Sequence, residues 1–387
     1  MAAGNINDKV SIVGMGCTKF GENWEMSADD MIIEAAYEAL EDAGIELKDI
    51  QAAWVGVTSS GASGTSLANP LKLDGIPITR VENYCASGQE AIRNAAFSVA
   101  CGMYDIVLAL GYEKLKDSGL RGLPLTSMTD PVIGLGGTPP GLFGGPWVTF
   151  FEKYGVTKET LAKIAVKNHY NGSMNPKAHF QKAVSLEQVM KAPIIAWPLG
   201  LYDCCPTTDG AAAAILVSRR IARDFRDDHI NIKGVSLIVD SLHPGYRPNH
   251  DYSSWPATVR AAKDAYRQVG ITEPRKELDL IELHDCFTMT ELVTYCDLGL
   301  CKPEEVRDCV DSGVFELKGE IPVNASGGLK SFGHPVGASG IRMVYDLYKQ
   351  MQGKVGGERQ VKDVELGLAH NLGGAPQVSS VIIVGMD

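Results

Sequence analysis

The sequence predicts an α/β fold made of a duplicated unit with an inserted loop domain, and three observations carry that reading. Short apolar strands alternate with helix-period segments at both ends of the chain, the pattern of sheets layered with helices. The phrase Ala43-Gly44-Ile45, followed by Lys48-Asp49-Ile50 and a strand, is echoed by Val269-Gly270-Ile271, then Glu277-Leu278-Asp279 and a strand, which reads as an internal repeat. Between the copies the rhythm breaks over 116–206, an insertion rich in Gly and Pro. At 387 residues the chain exceeds what one core usually serves, so two core units are expected.

The elements follow in order. Val10 to Val13 is a short strand closed by Gly14 and Gly16, and Ala28 to Gly44 has helix periodicity with Gly44 as its stop. Ala52 to Val57 reads as a strand. Ala91, Ile92, Ala95, Ala96, Val99 and Ala100 recur at helical spacing after Cys85, and Ile106 to Leu110 is a strand ending in Gly111. Beyond the insertion, the small-residue run Asp209-Gly210 to Val217 returns the chain to the sheet. The last third gives a strand at Ile232 to Val239, a helix from Ser254 to Gly270 and a strand at Leu278 to Leu283. A helix over Ile341 to Met351 follows, then strands at Leu366 to Ala369 and Val378 to Val384. The first half is therefore placed at 1–115 with 207–229, the loop domain at 116–206 and the second half at 230–387.

The insertion is expected to lie over the functional site. It contains an irregular stretch, Gly134-Leu135-Gly136-Gly137-Thr138-Pro139-Pro140-Gly141, and five aromatic residues, Phe143, Trp147, Phe150, Phe151 and Tyr154. These rings either line an apolar acyl pocket or pack the insertion's own small core.

Bulk properties exclude several classes. Net charge is −11 and no Lys/Arg cluster is present, which argues against nucleic-acid binding. No apolar run approaches the roughly 18 residues of a membrane span, and Met1 to Asp8 lacks a secretion signal, so a cytoplasmic protein is expected. Nine cysteines, an odd number, argue for reduced thiols. The spacings Cys204-Cys205, Cys296-x4-Cys301 and His284-x-Cys286 form no paired zinc set, so no metal is expected in this chain.

The chemistry concentrates in two places. Gly327-Gly328-Leu329-Lys330-Ser331-Phe332-Gly333-His334-Pro335-Val336-Gly337-Ala338-Ser339-Gly340 surrounds one imidazole with glycines, as a loop pressed against a reacting group at a helix start would. Cys85, in Asn83-Tyr84-Cys85-Ala86-Ser87-Gly88, is placed in the first turn of a buried helix, where unpaired N–H groups should lower its pKa and favour the thiolate. At the end of a strand, residues two apart project to one side, so His284 and Cys286 face one pocket while Asp285 points away. Each residue alone also fits a structural role: Cys85 as a small buried hydrophobe, His334 as a hydrogen-bonded loop histidine, Cys286 as a core thiol. Their joint occurrence at matching positions of a repeat favours catalysis. His169, His179, His229, His243 and His250, with Cys17, Cys101, Cys296 and Cys309, read as surface or core, and Cys204 and Cys205 as packing.

Cys85-Ala86-Ser87-Gly88 together with Gly333-His334-Pro335-x-Gly337-Ala338-Ser339-Gly340 resembles the thiolase superfamily, over nearly the whole chain. The resemblance implies a duplicated, five-layered α-β-α-β-α fold. The third loop, His284-Asp285-Cys286-Phe287, and the last, His370-Asn371-Leu372-Gly373-Gly374, resemble sterol-carrier-type and archaeal-type thiolases, in which the acid/base cysteine sits in the third loop. In the roles this implies, Cys85 is the nucleophile, His334 the base that ionises it, Cys286 the acid that protonates the leaving enolate, and His284 a donor to the thioester enolate. The backbone N–H groups of Cys85 and Gly373 form the second oxyanion hole. His370 and Asn371 would shape the pocket without titrating.

The activity this implies is coenzyme A-dependent cleavage of a bulky or aromatic 3-oxoacyl-CoA through an acyl-cysteine, with coenzyme A as co-substrate. The sharpest version is the thiolase subunit of benzoylsuccinyl-CoA thiolase in anaerobic toluene breakdown. The alternatives are acetoacetyl-CoA-forming condensation, a retro-aldol lyase, and a non-catalytic acyl-CoA carrier or scaffold subunit. The resemblance further implies a homodimer or larger assembly and a small zinc-ribbon/OB-fold partner subunit.

Overall fold

The computed structural model describes residues 5–119, 137–241 and 247–387. Gly134 to Gly136 of the irregular stretch, and His243, lie outside the described residues. Eleven strands are present among them. In chain order these are β1 (Val10–Cys17), β2 (Ala52–Gly56), β3 (Ile78–Val81), β4 (Ile106–Glu113), β5 (Ile194–Ala196), β6 (Leu199–Gly200), β7 (Gly210–Ser218), β8 (Ile230–Val239), β9 (Leu280–Glu282), β10 (Leu366–Gly373) and β11 (Val378–Gly385). Nine form one mixed sheet in the order β3-β2-β4-β7-β1-β8-β11-β10-β9, and β5 and β6 make a separate hairpin.

The duplication is explicit in this order. In the first half β2 runs parallel to β4, β4 antiparallel to β7 and β7 antiparallel to β1. In the second half β9 runs parallel to β10, β10 antiparallel to β11 and β11 antiparallel to β8. The same four-strand pattern occurs twice, and the parallel bridge from Ile281 to Val323 repeats the β2–β3 pairing. The halves join edge to edge by only two residue pairs, Ser11 with Asn231 and Ile12 with Ile230.

Helices complete five layers. Ala28–Ala43 covers the outer face of the first half-sheet; it starts in a Ser27/Asp30 capping box and ends at Gly44 in the left-handed conformation, as the stop signal predicts. Pro256–Val269 covers the second half-sheet with Ala257, Ala261, Ala262 and Ala265. Between the half-sheets lie Ser87–Ala100 and Ser339–Met351, which touch both half-sheets and each other. Each begins with Ala-Ser-Gly: Ala86-Ser87-Gly88 in one copy, Ala338-Ser339-Gly340 in the other. The glycines are required by contact. A Cβ on Gly88 would sit 2.6 Å from the Gly337 carbonyl, and one on Gly340 would sit 2.6 Å from the Gln89 nitrogen. Two helix starts are thereby brought backbone to backbone at the centre of the molecule.

The described part of the insertion packs on loops of the second half. Its main helix, Lys158–Ser173, is capped by Thr157. The Cys205 N–H donates to the Cys286 carbonyl at 2.9 Å, and the N–H groups of His179 and Phe180 donate to the Phe332 and Ser331 carbonyls. No helix among the described residues is long and apolar enough to cross a membrane.

Candidate active site

The two motifs meet. The donor atoms of Cys85, His284 and His334 all lie within 4.8 Å of one another, and both histidines are buried. The imidazoles stand edge to face, with ring centroids 5.2 Å apart. Residues 249 positions apart in the chain, Cys85 and His334, thus come from equivalent helix starts of the two copies.

The turn that presents the thiol is tightly tied. Tyr84 adopts a positive φ of 52°, a conformation uncommon for a residue with a side chain and often stored at functional turns. Ser87 locks it: its hydroxyl donates to the Tyr84 carbonyl at 2.6 Å and accepts the Asn83 N–H at 2.9 Å. The helix begins at Ser87 with Ala86 as its cap, so Cys85 stands just outside the first turn that the sequence pattern gave it.

The protonation state also departs from expectation. Burial pushes the Cys85 thiol up to about 12, outweighing the N–H groups of Gly374 and of Cys85 itself that point at the sulfur. At this partly buried thiol a helix start does not by itself produce a thiolate, because desolvation of the anion is the larger effect. Burial also holds His334 well below the usual imidazole range, with His284 and Arg342 adding to the shift. The resting pair is therefore a neutral thiol beside a neutral imidazole.

Hydrogen bonds orient that imidazole. His334 Nδ1 lies 2.7 Å from Ser339 Oγ, whose own proton has the Pro335 carbonyl as acceptor at 3.0 Å. Nδ1 is then the protonated nitrogen, and Nε2 is left with a lone pair and no partner inside the protein. A buried imidazole with an unpartnered lone pair has the chemistry to accept a proton.

His284 is held by Asn371, whose Oδ1 is 2.9 Å from His284 Nδ1. Burial lowers its pKa to about 3. The neighbouring His370 points the other way along β10, with Nε2 3.2 Å from both Thr258 Oγ1 and Ser379 Oγ, so of the two only Asn371 reaches the site. Asp285 turns away from the pocket, accepting the N–H groups of Leu329 at 2.5 Å and Lys330 at 3.3 Å and the Asn168 side chain at 2.8 Å. That carboxylate fastens the His284–Phe287 loop to the glycine-rich loop.

Cys286 is buried, 3.6 Å from Thr290 Oγ1, and its thiol is pushed up by burial and by the nearby sulfurs of Cys205 and Cys85. Cys205 is the residue sequence reasoning set aside. It pairs backbone to backbone with Cys286, feels the Cys85 sulfur, and is raised by burial. The signal for it was its position in Cys204-Cys205-Pro206, just ahead of the β7 strand. Gly374 was missed as well. Its N–H reaches the Cys85 sulfur, whereas Gly373 is pressed on the turn itself, where a Cβ would meet the Asn83 carbonyl at 2.6 Å.

The insertion's aromatic residues serve mainly as core. Trp147 and Phe150 are buried, and Trp147 packs on Trp255. Phe143 also touches Trp255 but lies tilted against Phe287, the neighbour of Cys286, with ring centroids 5.2 Å apart. Only this last pair borders the site.

With this geometry in place, comparison with known proteins is decisive. Residues 10–122 match the family "Thiolase, N-terminal domain" and residues 242–386 match "Thiolase C-terminal domain-like". The chain belongs to the thiolase family. It is 38% identical over 382 residues to an acetyl-CoA acetyltransferase of Methanothermobacter thermautotrophicus, covering 97% of this chain and 98% of that protein. It is 35% identical to sterol carrier protein 2 of Gallus gallus, covering 94% of this chain and 70% of that protein. Among solved structures it superposes on an Ltp2-ChsH2(DUF35) aldolase with a TM-score of 0.87 and 26% identity over 99% of both chains. A monomeric SCP2-thiolase like protein type 1 from Mycobacterium smegmatis shares the fold, with a TM-score of 0.74 at 20% identity over 98% of this thiolase.

Proposed function

We propose that this thiolase cleaves a 3-oxoacyl-CoA by acyl transfer through Cys85, with coenzyme A as co-substrate. The observation that carries the proposal is a His334 ring nitrogen within 4.8 Å of the Cys85 sulfur, on an imidazole whose Nε2 has no hydrogen-bond partner inside the protein. His334 takes the Cys85 proton as the sulfur attacks C3, the ketone carbon. The C2–C3 bond then breaks, leaving the acyl group on sulfur and the enolate of the shorter acyl-CoA. Cys286 gives its proton to C2 of that enolate. The resulting Cys286 thiolate then takes the thiol proton of incoming coenzyme A, whose sulfur displaces the acyl group, and the Cys85 thiolate recovers its proton from His334.

Each oxyanion needs a donor. The Cys85 N–H with that of Gly373 or Gly374 is assigned to the tetrahedral intermediate, and His284 to the thioester enolate; donation to the enolate uses the tautomer with the proton on Nε2, in which Asn371 turns its amide NH2 towards His284 Nδ1. Losing one such donor typically costs about 3 kcal/mol in the barrier.

A bulky or aromatic acyl group, such as the benzoylsuccinyl unit, is assigned on the Phe143–Phe287 ring pair beside Cys286. The second reading, condensation of two acetyl-CoA to acetoacetyl-CoA, is favoured by the relatives named acetyl-CoA acetyltransferase. A carrier without catalysis gives no reason for Cys85, Cys286, His284 and His334 to be kept together. The neighbouring structure with a DUF35 component supports a small partner subunit for this chain, and assembly as a dimer or larger is part of the same proposal.

The test is mass spectrometry of the Cys85 peptide after incubation with acyl-CoA, together with turnover of acetoacetyl-CoA and of an aromatic 3-oxoacyl-CoA. One added acyl mass at Cys85, lost in Cys85→Ala along with turnover, is expected. Turnover by a folded Cys85→Ala protein removes the nucleophile assignment. Turnover of acetoacetyl-CoA alone selects the second reading.

A further inference from the structure

Away from the catalytic centre, three cysteines gather at the far end of the helix that follows the Cys286 loop. That helix, Thr288–Asp297, closes through Gly299 in the left-handed conformation, with the Leu300 N–H donating to the Tyr295 carbonyl. Cys296 lies on its last turn and Cys301 just past the closure. Their sulfurs are 4.0 Å apart. Cys309, on the helix Val306–Asp311, has its thiol pushed up by burial and by the nearby Cys301 sulfur, and Arg275 Nη1 lies 3.7 Å from its sulfur. Cys296 is partly exposed.

We propose that Cys296 and Cys301 are a reversible dithiol–disulfide pair, oxidised by hydrogen peroxide. The pair is local, separated by four residues on one closing turn, so bridging it needs the sulfurs to move from 4.0 Å to roughly 2.05 Å without moving another element. The Cys301 sulfur and burial push the Cys296 thiol well up, and the Arg275 guanidinium beside Cys309 is held by the Glu320 carboxylate, so Cys296 rests as a thiol. In the reaction one sulfur of the pair attacks the peroxide, the O–O bond breaks, and water leaves to give a sulfenic acid. The second sulfur displaces its oxygen, the S–S bond forms, and the second water carries off the remaining thiol proton.

The position gives the bridge a consequence. The same helix starts beside Cys286, and it carries Thr290, 3.6 Å from the Cys286 sulfur, and Glu291, which accepts from Lys167, Asn168, Tyr295 and Asn324. The bridge would therefore form at one end of the helix whose other end holds Thr290 against the Cys286 sulfur.

The experiment is peptide mapping of the full chain after graded hydrogen peroxide, with free thiols capped by an alkylating agent. The expected result is a Cys296–Cys301 cross-link two hydrogens lighter than the dithiol, formed at peroxide levels that leave Cys85 alkylatable, reversed by dithiothreitol, and absent in Cys301→Ser. Alkylation of both Cys296 and Cys301 after the exposed Cys101 has been oxidised overturns the proposal, as does a cross-link that uses Cys309 in place of either. The mapping reads the bond itself, so it stands or falls separately from the catalytic assignment.

Discussion

Ser339 Oγ lies 2.7 Å from His334 Nδ1 and donates its own proton to the Pro335 carbonyl, so a serine at a helix start decides which imidazole nitrogen carries the proton. The equivalent serine of the other copy, Ser87, ties down the nucleophile's own turn. One duplicated Ala-Ser-Gly thus positions the base in one half and the thiol in the other.

Ser339→Ala removes the acceptor that keeps the proton on Nδ1. The tautomer with Nε2 protonated then competes, and that form cannot accept from Cys85. Acylation of Cys85 should slow by about ten- to a hundredfold, in line with the loss of a partner that orients a catalytic histidine. Ser339→Thr, which retains the hydroxyl, should recover part of the rate. Single-turnover acylation with unchanged thermal unfolding checks both variants, and equal loss in Ala and Thr would assign the serine to packing alone.

The neutral thiol–imidazole pair has a spectroscopic consequence. An acid whose pKa is raised stays protonated up to that value, so a Cys85 thiol pushed up to about 12 carries no appreciable thiolate at neutral pH. A base whose pKa is lowered stays neutral on acidification, so His334 remains able to accept a proton well below pH 6.5. The thiolate absorbance of the wild type minus that of Cys85→Ser should therefore be absent between about pH 6 and 9. A constant difference across that range would show a resting thiolate–imidazolium pair.

How much of this was legible in the sequence depends on the kind of signal. His334 and Cys85 stand out because glycines crowd them, and glycine is retained where backbones must touch, as Gly88 and Gly340 do. The repeat was legible as Ala-Gly-Ile against Val-Gly-Ile, and the strand order reproduces it. The Cys85 protonation state was not legible, because helix dipoles are local while desolvation depends on loops hundreds of residues away. Cys205 was passed over for a similar reason: its approach to Cys286 is made by a backbone hydrogen bond that leaves no side-chain pattern. The insertion's rings read equally as pocket or core until Trp147 was seen against Trp255.

The three side chains proposed for acyl transfer also suit a thiophilic ion. Cys85, His284 and His334 present one sulfur and two imidazole nitrogens within 4.8 Å of one another, close to the donor set of a zinc site. Added zinc should displace the Cys85 proton, inhibit acylation, and protect Cys85 from alkylation, with a chelator restoring both. His284→Ala should weaken inhibition by about tenfold or more, because it removes one ligand of three. Zinc inhibition undiminished in His284→Ala would place the ion elsewhere.

Gly328 offers the strictest test of how the loops are assembled. It sits at a φ of 61°, and a Cβ there would land on the Asp285 carboxylate, 2.6 Å from Oδ1. Asp285 is the group that ties the Cys286 loop to the His334 loop through the Leu329 and Lys330 N–H groups. Gly328→Ala must therefore either strain the left-handed turn or expel a buried carboxylate from its donors. Backbone strain alone costs about 1–3 kcal/mol, and displacing the carboxylate adds to it. The expected outcome is a drop of about 3 kcal/mol or more in unfolding free energy, with acylation lost in whatever fraction remains folded. Gly353→Ala is the control: it has a comparable φ of 68° but no atom within 4 Å of the added methyl, so it should cost only the strain. Equal destabilisation by the two substitutions would show that the Asp285 contact contributes nothing to holding the catalytic loops together.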